Sequence, residues 1–207
     1  VGTFWIDQVN GLDTNPGTQA SPLKTITKAL TLVPMGGRCE CRLLTGYTID
    51  TTIVVDNRQL ILTSFNTVRH PIQFTRKLNA NVVPNQRDIA GIRLIGQASL
   101  AIHLLGIVIP PLDGQWGTYN SGSSELFGSY GSNMTGAQSV AITSCDITIP
   151  ETPYSAFVSP FYPITLLVSG VTLLDQPLNG KVVRSITATA GTATSTLPYL
   201  NTNLLTV

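Results

Sequence analysis

Two hydrophobic periods divide the chain. Residues 21–34, "SPLKTITKALTLVP", place Leu23, Ile26, Ala29, Leu30 and Val33 on one stripe at helical spacing, with Lys24, Thr27, Lys28 and Thr31 opposite. Ser21 is a preferred N-cap residue, Pro22 suits the first helical position, and Pro34 with Gly36 and Gly37 closes the pattern. The spacing predicts a one-sided helix resting its apolar stripe on something apolar. Ahead of it, Phe4, Trp5 and Ile6 read as a short strand. "NGLDTNPG" then reads as a turn, because Asn, Asp and Gly tolerate left-handed dihedrals and Pro fixes φ.

From Arg38 the period becomes two. Short runs of Val, Ile, Leu and Thr follow, among them "TIVVD", "QLILTSF", "IRLIG", "LAIHLLGIVI", "SVAITSCDITI" and "ITLLVSGVTLL". In "RCECRLLTG" alternation puts Cys39, Cys41 and Leu43 on one face and Arg38, Glu40 and Arg42 on the other. Three runs read as copies: "LLGIVIPP", "SCDITIPE" and "VSGVTLLD" align Gly106, Asp146 and Gly170 in one column and Ile107, Ile147 and Val171 in the next, at spacings of 40 and 24 residues. A unit that cannot bury its apolar row alone does so by stacking on its neighbours, so the copies predict a β-solenoid. A β-sandwich is the competing architecture.

The opening "FWIDQVNGLDTNPGTQASPLKTITKAL" resembles the N-terminal signature of right-handed parallel β-helix proteins of the pectin-lyase-like superfamily, a fold frequent in phage tailspikes and related virion proteins. Gly11, Asp13, Asn15, Gly17, Pro22, Thr25, Ile26, Ala29 and Leu30 fit the pattern, and Leu12 stands where Asn is usual. The resemblance implies an all-β, single-stranded right-handed parallel β-helix in one domain, residues 1–207. In it, 1–37 form a strand, turn and helix cap, with Ser21, Leu23, Ile26, Leu30 and Val33 as the cap residues. Residues 38–184 form the rungs, with insertions at 110–138 and 150–163, and 185–207 form a closing or partner-pairing segment. An amphipathic helix across the first rung would shield its side chains and strand edges.

The fold hosts enzymes, adhesins and structural proteins alike, so function is argued separately. At 207 residues the chain is short for a tailspike enzyme with a long solenoid and a particle-binding domain. The resemblance therefore implies a non-enzymatic virion component of a tailed phage, capsid-decorating or tail-associated, assembled in the host cytoplasm. Its partners would be copies of itself, as a trimer, and other virion proteins. The alternative is a polysaccharide-binding or polysaccharide-degrading tailspike fragment acting on host-surface polysaccharide.

Composition sharpens this. Only 11% of residues are charged while 43% are hydrophobic, a poor surface for a free monomer and a reason to expect subunit contacts. A net charge of +1 lacks the concentrated basic face of a nucleic-acid binder. The halves differ: residues 1–93 hold ten Lys/Arg against six Asp/Glu, and residues 94–207 two against five. Opposite ends of opposite sign would favour docking. No segment has the length of a membrane-spanning helix, so membrane insertion is not expected. Cys39, Cys41 and Cys145 are odd in number and lack zinc-ligand spacing, so we expect buried free thiols and neither metal nor cofactor.

Candidate chemistry is sparse. The eleven carboxylates show no obvious pair, and Asp50, Asp56 and Asp175 sit at turns. The aromatics are more informative, since eight of the fourteen fall between Pro110 and Pro163. Trp116, Tyr119, Phe127 and Tyr130 occupy the first expected insertion; Tyr154, Phe157, Phe161 and Tyr162 occupy the second. Both insertions begin at the same point of the repeat, after Ile109 and Ile149, which predicts neighbouring loops at one corner. Rings among Gly, Ser, Asn and Pro suit a subunit interface, a sugar platform, or packing of loops onto the wall.

Overall fold

The computed structural model describes residues 1–78, 87–110, 125–129, 138–149, 156–158, 163–174 and 200–204. The chain winds as a parallel β-helix with three walls. The first wall stacks seven strands in the order β1 (Gly2–Ile6), β2 (Arg38–Leu43), β5 (Gln59–Ser64), β10 (Ser99–His103), β13 (Gln138–Thr143), β16 (Ile164–Ser169) and β18 (Leu200–Thr202). The second runs β3 (Tyr47–Ile49), β6 (Pro71–Phe74), β11 (Gly106–Val108), β14 (Asp146–Thr148) and β17 (Thr172–Leu174). The third runs β4 (Ile53–Asp56), β9 (Ile92–Ile95), β12 (Glu125–Ser129) and β15 (Ala156–Val158). All these pairings are parallel, and each turn visits the walls in the same order. An antiparallel hairpin, β7 (Arg76–Leu78) with β8 (Arg87–Ile89), interrupts the second turn between its second and third walls.

Alternation explains the core. Because successive side chains point to opposite faces, every second residue enters the interior, and parallel register sets like upon like. Cys41, Leu62, Ile102, Ile142 and Val168 form one inward column of the first wall, and Cys39, Leu60, Leu100, Val140 and Leu166 form the next. Tyr47, Ile72, Ile107 and Ile147 line the second wall; Ile53, Ile92, Phe127 and Val158 line the third. All are buried.

The corners use left-handed residues in register. Leu104, Ser144 and Gly170, with φ of 54°, 54° and 60°, turn consecutive rungs from the first wall to the second, and Asn57 and Gly96 do the same where the third returns to the first. This corrects the alignment of the third copy. Gly106 pairs with Asp146, but Asp146 pairs with Thr172, so the spacings are 40 and then 26 residues (106 to 146, 146 to 172), and Gly170 belongs with Ser144. Gly106 and Gly170 share a residue type but not a corner, whereas Leu104, Ser144 and Gly170 share a left-handed conformation. Strand β12 lies within 110–138 and β15 within 150–163.

The opening segment packs on the first rung. Helix α1 spans Ile26–Thr31, and Leu23, Ile26, Ala29, Leu30 and Val33 are buried. Its N-cap is Thr25, not Ser21: the Thr25 hydroxyl accepts the Lys28 N–H at 3.0 Å. Ser21 and Pro22 are used one step earlier, where Leu23 bridges Ile6 in parallel fashion and its N–H donates to the Trp5 carbonyl. A residue held extended by that bridge cannot also begin a helix.

A carboxylate in place of Ile26 would sit unpaired in this contact, so Ile26→Asp should lower stability by about 3 kcal/mol or more in denaturant melts. Gly170→Ala puts a Cβ on a left-handed corner and should lower it by about 1 kcal/mol, with the rung fold retained by circular dichroism.

Candidate functional site

The turn between β1 and α1 is densely hydrogen-bonded. Asp7 is only 7% exposed, and its carboxylate accepts the N–H groups of Val9 and Asn10, the Asn10 side-chain amide and the Thr45 hydroxyl at 3.0–3.2 Å. Asp13 accepts the Lys24 and Thr25 N–H groups and the Thr25 hydroxyl, fixing the start of α1. Gly11 has no room for a side chain, since a Cβ there would lie 2.4 Å from the carbonyl oxygens of Asp7 and Leu23. Gln8 reaches across to β3, donating to the Thr48 carbonyl at 2.8 Å and accepting its N–H at 2.7 Å. These bonds account for Gly11, Asp13 and Thr25 in the opening motif; Gln8 carries no sequence signal of its role.

Burial alone would raise the Asp7 carboxyl. The bonds from Asn10, Val9 and Thr45 outweigh it and hold the pKa below its ordinary value. Tyr47 is pushed up to about 12 by burial, while its hydroxyl accepts the Ile26 N–H.

Two of the eight aromatic candidates fall among the described residues, and both are interior. Phe127 and Phe157 are 0% and 2% exposed; Phe127 meets Phe74 edge-on, with centroids 5.6 Å apart, and tilts against Phe157 at 6.0 Å. They hold the third wall together rather than face solvent, because the strands β12 and β15 run through what the sequence reads as loop. Arg93 is buried beside them, next to Gly128, where a Cβ would lie 3.1 Å from its Nη1. Trp116, Tyr119, Tyr130, Tyr154, Phe161 and Tyr162 lie outside the described residues. The strands that precede the two aromatic segments, β11 and β14, are stacked neighbours.

On the outer face of the second wall, Asp146 is bonded by Arg69 from two rungs away. The rung between offers only Gly106 in that column, so no side chain intervenes. His103 and Thr143 pair across neighbouring rungs of the first wall, Nδ1 to Oγ1, at 2.9 Å. Cys39, Cys41 and Cys145 are buried and free. The Sγ atoms of Cys39 and Cys41 lie 3.8 Å apart; their mutual hydrogen bond lowers the Cys39 thiol and raises that of Cys41, and burial raises Cys145. Among the described residues, no group of three or more His, Cys, Asp or Glu is placed to hold a metal.

Residues 9–48 match a family described as a protein of unknown function (DUF1565), which is associated with right-handed β-helix proteins. The matched stretch takes in the turn, α1 and the first strands of the solenoid. No curated protein and no solved structure matches the chain.

The depressed Asp7 pKa fixes the sign of a pH effect. Its stabilisation is fully present above the unfolded value near 3.8 and is lost as pH falls through the lower folded value. The stability of the parent should therefore fall more steeply below pH 4 than that of Asp7→Asn, measured by urea melts across that range, and the variant should be weaker at neutral pH by about 1–3 kcal/mol.

Proposed function

We propose that the chain is a non-enzymatic structural component of a tailed-phage particle, an oligomeric β-helix that decorates the capsid or is tail-associated and packs against other virion proteins. The observation that carries this reading is how four acidic side chains among the described residues are engaged. Asp7 and Asp13 hold backbone N–H groups, Glu40 sits between Arg38 and Arg42, and Asp146 lies on Arg69. Polysaccharide hydrolysis would call for two carboxylates roughly 5–10 Å apart on an open face, one protonated and one ionised. Acids already tied to cations and backbone serve a scaffold better than proton transfer.

Three further features support the reading. The low share of charged residues fits a surface that other subunits cover. In this reading the opening segment, whose Leu23, Ile26 and Leu30 are buried, shields the apolar end of the first rung, as a solenoid terminus requires. The resemblance of that opening to virion β-helices agrees in kind. In this reading a trimer forms, and the aromatic segments holding Trp116, Tyr119, Tyr130, Tyr154, Phe161 and Tyr162 supply its contacts or those to other particle proteins.

Light scattering after size exclusion, run beside a reducing-end assay on host-surface polysaccharide, tests the proposal. We expect a trimer and no new reducing ends; turnover of the polysaccharide would overturn the structural reading. Interface hot spots are enriched in Trp, so Trp116→Ala should weaken assembly by about 2 kcal/mol while the melting of the solenoid stays unchanged. Intact assembly with lost polysaccharide binding would instead assign that segment to a glycan.

A further inference from the structure

A cleft of about 520 Å³ opens at the corner where the third wall returns to the first, lined by Met35, Gly36, Asn57, Arg58, Gln59 and Gln97. Small-molecule sites span about 300–1,000 Å³, so the size suits a compact ligand. Stacked corners build it. Asn57 adopts φ 47° directly against Gly96 at 63°, and the Asn57 Oδ1 accepts the Gln97 N–H at 3.0 Å while its amide donates to Asp56. Asparagine is one of the few residues besides glycine that adopts this conformation readily, so the corner keeps a carboxamide at the cleft.

Arg58 is fixed as well. Its Nε donates to the Val33 carbonyl at 2.8 Å and its Nη1 to the Asp56 carbonyl at 2.9 Å. Both acceptors are neutral, and the ion pairs formed among the described residues involve Arg38, Arg42 and Arg69 but not Arg58. A guanidinium carries five N–H donors, so this one is oriented by backbone while its charge and further donors remain for a ligand. Gln59 and Gln97 are exposed at the rim and bring two carboxamides, each able to donate and accept.

We propose that this cleft binds a small carboxylate-bearing ligand rich in hydroxyl groups. The Arg58 donors not taken by the Val33 and Asp56 carbonyls match a carboxylate, and Gln59 and Gln97 match the hydroxyls. A single cation balances one negative charge, which favours a carboxylate over a phosphate dianion. The site stands independently of any particle the chain joins.

The test is a nuclear magnetic resonance titration of the whole labelled chain at low ionic strength with gluconate, glucitol and inorganic phosphate. Gluconate and glucitol differ by the carboxylate. Gluconate should shift the Arg58 Nε–H and the Gln59 and Gln97 carboxamide signals saturably, with glucitol at least about tenfold weaker. Arg58→Gln should lose about tenfold or more in affinity. Because that change also removes bonds to Val33 and Asp56, Gln59→Ala and Gln97→Ala provide variants with the backbone intact, each expected to weaken gluconate about threefold to tenfold. Equal binding of glucitol, tighter binding of phosphate, shifts confined to other residues, or unchanged affinity in both glutamine variants would each overturn the proposal.

Discussion

A single turn of this chain cannot bury its own apolar row, and that constraint governs the rest of the molecule. Leu62 is covered from below by Cys41 and from above by Ile102, each held there by parallel pairing. Hydrogen bonding and side-chain packing therefore act along the same axis. A slip of one residue in any rung would turn Leu60 and Leu62 outward and Ile61 inward, so the register is specified along the whole stack. A stack leaves this constraint unmet at its ends. At the beginning, β1, the turn and α1 lie over the first rung. In the last described rung of the second wall, Leu173, stacked on the inward Ile147, remains 39% exposed.

Outward positions are free of this constraint and carry what variety the molecule has. Gly106 leaves a gap in its column through which Arg69 reaches Asp146, and Gly128 leaves room beside Arg93. In the first case the missing side chain lets a long cation reach past a whole rung. The corner cleft around Arg58 lies beside the stacked left-handed turns of Asn57 and Gly96.

Much of the fold was legible in the sequence, and the parts that were not share a cause. Alternation in "RCECRL" and the apolar stripe of α1 are local patterns, visible within a few residues. The uninterrupted run "LAIHLLGIVI" hides a corner at Leu104, since no Gly or Pro marks a left-handed leucine that stacking alone enforces. The strands around Phe127 and Phe157 are only five and three residues long and sit among turn-forming residues, so they read as loop. Ser21 has the residue type of a helix cap, but the bridge from Ile6 to Leu23 is long-range and leaves no local mark in the sequence. The pairing of Arg69 with Asp146 spans 77 residues and could not be read from spacing. Of the candidate aromatics, the sequence located the segments without telling which rings face inward.

Gln8 has a consequence for growth of the second wall. A strand laid on β3 would bring its own outer row of donors and acceptors and so offer a template for the next chain. The Gln8 carboxamide occupies the donor and acceptor of Thr48 and brings no such row. It works as a monofunctional stopper does in a condensation polymer, consuming the reactive end without regenerating one. Edge-to-edge association, the route by which exposed sheets become fibrils, is thereby closed at that position by one side chain rather than by a whole element.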